Sequence, residues 1–236
     1  MKYTPSIAFD EMSGSAKGVT AAKSRGRKYL RNRGHGGNSN TTYQASVKSI
    51  FKQLSQGWKN LTEAQILAWN NLAQSQAGRS VLGSNAKISG LNLYQRLNFW
   101  VVKCGGTAMS NPPTLMGVDA PAVATIVLTD EAFTLTLASI PASVTNLKLV
   151  VMASKPQSAG IAQAYDKASA FSAPMSVVST AISLKSDYEA KHGVVSAGAP
   201  KIFLKYFYVN TATGEKSAEM LAEARLTNDT EEEGEE

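Results

Sequence analysis

The residues able to do covalent or metal chemistry are few and widely separated. The two histidines are His35, in a Gly-rich stretch, and His192, in an expected loop. Two histidines do not make a His-rich metal site, and the chain has no HExxH and no Cys/His cluster. Cys104 is the only cysteine, which excludes an intrachain disulfide and a Cys-based zinc cluster. A thiol pair of Cys104 with His192 would need a local activating group, and none stands near either in sequence. Asp130 and Glu131, and Asp187 and Glu189, are neighbouring carboxylates without a ligand pattern, so they read as turn and surface residues. No GxGxxG follows a strand, no phosphate-loop signature occurs, and no nucleophile elbow is present. The expectation is a protein that is not an enzyme, with no catalytic residue, metal or cofactor.

The chemistry that is concentrated is cationic. Between Glu11 and Glu63 the chain has no acid, but it has ten Lys or Arg. From Glu215 to Glu236 nine acids face only Lys216 and Arg225. The net charge of +6 is therefore the sum of a positive front and a negative end. Lys23, Arg25, Arg27, Lys28, Tyr29, Arg31 and Arg33 are the expected contacts of the arm with a partner subunit or nucleic acid. Alternation would put Arg25, Arg27, Tyr29, Arg31 and Arg33 on one face of an extended strand. Such a face suits an acidic groove, a sheet edge or phosphates.

These residues must be carried by a chain of 236 residues, of which 43% are hydrophobic, enough for one large or two small cores. Residues 1–13 read as an extended lead-in, with Ile7 and Phe9 alternating. No secretory signal and no apolar run of membrane-spanning length are visible. Residues 14–40 are too polar and Gly-rich to order alone, so the arm is expected to order against a partner.

A helix is expected from Thr41 or Thr42, with Tyr43, Val47, Ile50, Phe51, Leu54 and Trp58 on one stripe. Thr62 and Gln65 have capping-box spacing for a second helix, and Leu61 with Ile66 has the spacing of a hydrophobic staple. Its apolar face is Ile66, Leu67, Trp69 and Leu72. A third helical pattern follows Ser89-Gly90, and Phe51, Trp58, Trp69, Tyr94 and Trp100 are expected to close a small helical core. The helix pair resembles a helix-turn-helix only superficially, because the second helix has Glu63 and no Lys or Arg to read bases.

The domain boundary falls in the Gly/Pro-rich segment 105–121. After it the period changes to two. Strands are expected at 123–128, 133–138, 147–153, 175–184 and 201–209, with a last strand preferred over a helix at 216–226. Residues 186–192 fit a one-turn helix between strands. Short strands at this spacing point to a β-sandwich of immunoglobulin-like type.

Taken together, residues 14–98 resemble a group of tailed-phage and prophage proteins regarded as virion structural components. The similarity runs through Gly26, Arg31-Asn32-Arg33, Asn38, Thr41-Thr42, Gln44, Phe51, Leu54-Ser55, Trp58, Leu61-Thr62, Gln65, Ala68-Trp69-Asn70, Ser89 to Tyr94, and Asn98. Similar proteins often carry Asn-Pro-Arg-Thr where this chain has Asn38-Ser39-Asn40-Thr41. The resemblance implies a β-sandwich after the N-terminal module and a place in a virion assembled in the host bacterial cytoplasm.

The expected fold class is multidomain α+β. It comprises an extended basic arm (1–40), a helical module (41–104), a linker (105–121), an immunoglobulin-like antiparallel β-sandwich (122–227) and an acidic disordered tail (228–236). The expected role is a non-enzymatic component of the capsid surface, neck or tail. Its partners would be other virion proteins and copies of itself, with no membrane. The alternative is non-specific nucleic-acid binding through the arm. The tail serves solubility, or screens the arm until the true partner displaces it.

Overall fold

The computed structural model describes residues 12–24, 27–32, 34, 41–76, 88–141, 143–196 and 198–227. The chain is α+β, with four helices and three antiparallel sheets among the described residues.

The front of the chain is a meander of β1 (Gly14–Ala16), β2 (Val19–Ser24) and β3 (Arg27–Asn32). The expectation of one extended strand is corrected here. Lys17, at φ 42°, and Gly18 reverse the chain between β1 and β2, so β2 pairs with both neighbours. Folding back supplies backbone partners that a lone strand would have to find on another molecule.

Three helices follow: α1 (Thr42–Lys59), α2 (Glu63–Gln74) and α3 (Gly90–Lys103). Each begins at a side chain that accepts from the first turn. Thr41 and Gln44 form a reciprocal capping box, as do Thr62 and Gln65. Ser89 Oγ accepts from the Asn92 amide at 3.3 Å. Each cap stabilises its helix start by about 1 kcal/mol. Helix α3 is the axis of the module, with Leu93, Tyr94 and Leu97 buried against Leu54, Trp69 and Ala73. Tyr94 sits between Trp58 and Trp69, at centroid distances of 5.4 and 5.3 Å. Leu67 is 59% exposed, so the buried face of α2 is carried by Trp69 and Ala73.

Segment 105–121 packs on the helical core through Ala108, Met109 and Leu115. The fully buried Asn98 holds it: its Oδ1 accepts from the Met109 amide at 2.5 Å, and its Nδ2 donates to the Tyr94 carbonyl at 3.1 Å. Trp69 Nε1 donates to the Ser110 carbonyl at 2.8 Å. The segment ends against the second core through Val118.

That core lies between two sheets. One contains β4 (Ala124–Leu128), β5 (Phe133–Leu137) and β9 (Ala181–Ser183), in the order β4-β5-β9. The other runs β11-β10-β6-β7, from β6 (Leu147–Ala153), β7 (Ser169–Ala170), β10 (Lys201–Asn210) and β11 (Met220–Arg225), with β8 (Met175–Ser176) also paired to β6. A short helix, α4 (Lys185–His192), follows β9 and places Tyr188 in the core. The expected strand at 175–184 is interrupted into β8 and β9, which join different sheets.

Strand β10 has no period-two burial, because both of its faces are covered. Ile202, Leu204, Tyr206 and Tyr208 point into this core. On the outer face Phe207 and Val209 cluster with Val150, Trp100 and Cys104, and Phe203 meets Tyr165 at 5.1 Å. Trp100 therefore belongs to the junction with the sheet and not to the helical core where the sequence pattern put it.

Candidate assembly interface

The expected contact residues fall on β2 and β3. Lys23 on β2 is directly opposite Lys28 on β3, Tyr29 is opposite Ala22, and Arg31 is opposite Thr20. Arg27 opens β3 in register with Ser24. Lys23 and Arg31 are exposed, while Lys28, Tyr29 and Leu30 are half-buried. Strand alternation puts Tyr29 and Arg31 on one face and Lys28 and Leu30 on the other. Arg25 and Arg33 lie outside the described residues, as do His35 and the expected acidic tail at 228–236.

Helix α1 is cationic as well. It is 18 residues long, contains no acid, and buries only Leu54 completely. It runs antiparallel along α3, with Trp58 on Tyr94, Gln95 Nε2 donating to Ser55 Oγ at 3.0 Å, and Phe51 stacked on Phe99 at 5.2 Å. At its first turn Lys103 Nζ lies 4.8 Å from the Tyr43 ring centroid and Lys191 Nζ lies 5.9 Å from it. Tyr43 and Phe51 remain 43% and 41% exposed. Burial reduces the proton affinity of Lys191, and its Nζ donates to the Ser169 hydroxyl at 2.8 Å. Sequence reasoning placed Tyr43 and Phe51 on the core stripe.

The carboxylates around the β10–β11 loop are engaged within the fold. The Glu215 carboxylate accepts from the amides of Met116 and Gly117, at 3.3 and 3.0 Å, and from the Thr213 hydroxyl. Glu219 pairs with Lys216 and lies 3.9 Å from Lys205; the Lys216 hydrogen bond is the main reason its proton affinity is low. These carboxylates line two open clefts of about 470 and 430 Å³, at the junction of α3 with the β10–β11 loop and beside Tyr165. Cys104 packs at the end of α3, where burial raises its thiol pKa against the opposing pull of Lys148 and Lys103. His192 packs on Tyr188 at 5.1 Å, and both of its ring nitrogens are buried without a hydrogen bond among the described residues. Among the described residues no group of three or more His, Cys, Asp or Glu is placed to hold a metal ion. No helix among them is long and apolar enough to cross a membrane.

The chain matches no protein-family model and no curated protein.

Proposed function

We propose that this chain is a non-enzymatic structural protein of a tailed-phage virion, of the capsid surface, neck or tail, and that it assembles through its basic N-terminal arm. The observation that carries the assembly reading is the acid-free helix α1, whose aromatic residues Tyr43 and Phe51 are left over 40% exposed, with Lys103 over the Tyr43 ring. Exposed aromatics beside Lys suit a protein surface that is apolar at its centre and acidic at its rim. The resemblance of residues 14–98 to virion components supports the particle as the setting. Many copies on a symmetric particle would convert weak single contacts into tight attachment through effective concentration.

The finer reading of the C-terminal half is an immunoglobulin-like sandwich. Its support is the strand order, β4-β5-β9 facing β11-β10-β6-β7, around one shared core. In this reading the sandwich projects or packs laterally while the arm threads onto neighbouring subunits.

The test is deletion of residues 14–40. The reading expects a folded, soluble protein that no longer enters particles, and normal incorporation would refute it.

One observation favours a second reading, non-specific contact with nucleic acid. Lys23 and Lys28 are directly opposite in the β2–β3 ladder, with Arg31 further along β3, which concentrates positive charge of the kind that phosphates attract. Binding to mixed duplex DNA that falls steeply with salt and vanishes when Lys23, Lys28 and Arg31 become Ala would establish it.

A further inference from the structure

The outer face of the β10 sheet is covered at two places and open between them. On that face β10 carries Phe203, Lys205 and Phe207 in alternation. Tyr165 caps Phe203, with ring centroids 5.1 Å apart, and Trp100 caps Phe207 at 5.3 Å. The two capped positions are separated by about 13 Å of strand. Between them Lys205 is in register with Met152 on β6 and with Leu221 on β11, so this row is the floor of a groove that crosses three strands. Leu221 is 52% exposed. The clefts of about 430 and 470 Å³ are the two sides of this groove, because Glu219 lines both. One is walled by Tyr165, Asp166 and Lys167, the other by Arg96 and Trp100 of α3. Each has a volume suited to a small-molecule site.

We propose that this groove binds an uncharged oligosaccharide. Its polar groups come in both signs. Lys216 pairs with Glu219, Lys205 Nζ lies 3.9 Å from the same residue's carboxylate, and all three side chains stay partly exposed. An ammonium has three donors and a carboxylate has about four acceptor sites, so the cluster keeps capacity for a ligand. The exposed Arg96 guanidinium makes no hydrogen bond or ion pair among the described residues and adds a planar fork of donors. A strongly anionic or strongly cationic ligand would meet like charge in this groove. A sugar hydroxyl both donates and accepts, so it matches Lys205, Lys216 and Glu219 together. Trp100 and Tyr165 are half-buried and line the two sides, where the C–H face of a sugar ring can pack on the electron-rich face of an aromatic ring. An extended peptide is served less well, because the backbone of β10 is already paired on both sides, with β6 and β11, and gives the floor no strand edge to extend. The groove is built from the sheet, α3 and the segment around Tyr165, with no residue of the arm. The inference goes beyond the assembly role and does not rest on it.

Binding of the full chain to an array of neutral oligosaccharides, anionic oligosaccharides and peptides of mixed charge tests this. The expected result is binding to neutral oligosaccharides that changes by about twofold or less between roughly 0.05 and 0.5 M salt. Isothermal titration calorimetry with the best-bound neutral oligosaccharide should then show about a tenfold loss of affinity for Tyr165→Ala and for Arg96→Ala. Arg96 is exposed, so Arg96→Ala should keep the urea midpoint of the parent chain, which separates a lost contact from a lost fold. An array on which no neutral oligosaccharide is bound overturns the inference, as does binding confined to peptides. Binding confined to anionic sugars and abolished by salt overturns it too, and so does an affinity for the neutral sugar that both substitutions leave unchanged. None of these outcomes bears on the assembly role, which is judged by incorporation of the arm deletion.

Discussion

Trp100 and Phe207 meet edge to face, with ring centroids 5.3 Å apart and planes at 79°, and this contact joins α3 to the outer face of β10. Phe99 extends the stack on one side, at 5.3 Å from Trp100, and Lys216 Nζ lies 4.1 Å from the Phe207 centroid on the other. The helical module and the sheet therefore share apolar surface. Trp100→Ala should lower unfolding stability by about 2 kcal/mol, less than for a fully buried aromatic because Trp100 is only half-buried. Urea denaturation followed by circular dichroism measures this, and Trp100→Phe should recover part of the loss.

A second point of attachment is a glycine. Gly214 closes the β10–β11 loop with φ 73°, and a Cβ placed there would collide with the backbone of Leu97 on α3. Gly214→Ala should cost about 2 kcal/mol or more, since strain and steric overlap add. Gly105→Ala is the matched comparison. Gly105 also has positive φ, at 87°, but faces open space, so it should cost only about 1 kcal/mol. Thermal midpoints of the two variants separate the effects, and equal losses would mean that the loop is not seated on α3.

Asn98 holds the 105–121 segment with a fully buried amide. Asn98→Leu removes its bonds to Met109 and leaves the Met109 amide without its acceptor. The expected cost is about 2–3 kcal/mol. Hydrogen exchange at Met109 and its neighbours should accelerate well before exchange in β10 does. Exchange that accelerates uniformly would argue against a local role.

His192 gives a pH dependence of known sign. Burial lowers its pKa first, and the charges of Lys191 and Lys155 lower it further. A histidine whose folded pKa lies below the unfolded value of about 6.5 binds fewer protons folded than unfolded in the interval between them. Its contribution is fully present above that unfolded value and is lost as pH falls through the folded pKa. Urea midpoints at pH 7.5 and 5.5 should therefore drop for the parent chain and drop less for His192→Leu. Glu219 acts in a separate window, with stability lost only as pH falls below the ordinary carboxylate range.

Much of the architecture was legible because it rests on local rules. The capping residues Thr41, Thr62 and Ser89 mark helix starts by side-chain chemistry alone. Strand β6 coincides with the run at 147–153. The last strand was legible from alternation at Met220, Ala222 and Ala224, and the structure pairs it with β10. What was illegible depends on which surface covers which. The run Tyr206-Phe207-Tyr208 has apolar residues on both faces, and nothing local says that α3 covers one of them. The two-residue strands β7 and β8 are too short to carry a period. The same limit applies to the candidate interface: the cation density of the arm is visible in the sequence, but its folding into a meander arises from strand pairing, and the exposure of Tyr43 and Phe51 from packing.

The central claim is that the basic arm is an assembly element covered by its neighbours in a particle. Limited proteolysis with mass spectrometry, on the isolated chain and on intact particles of its source, tests it most directly. The account predicts cleavage within residues 14–40 of the isolated chain and protection of the same bonds in the particle. Equal cleavage in both, or full protection in the isolated chain, would contradict it.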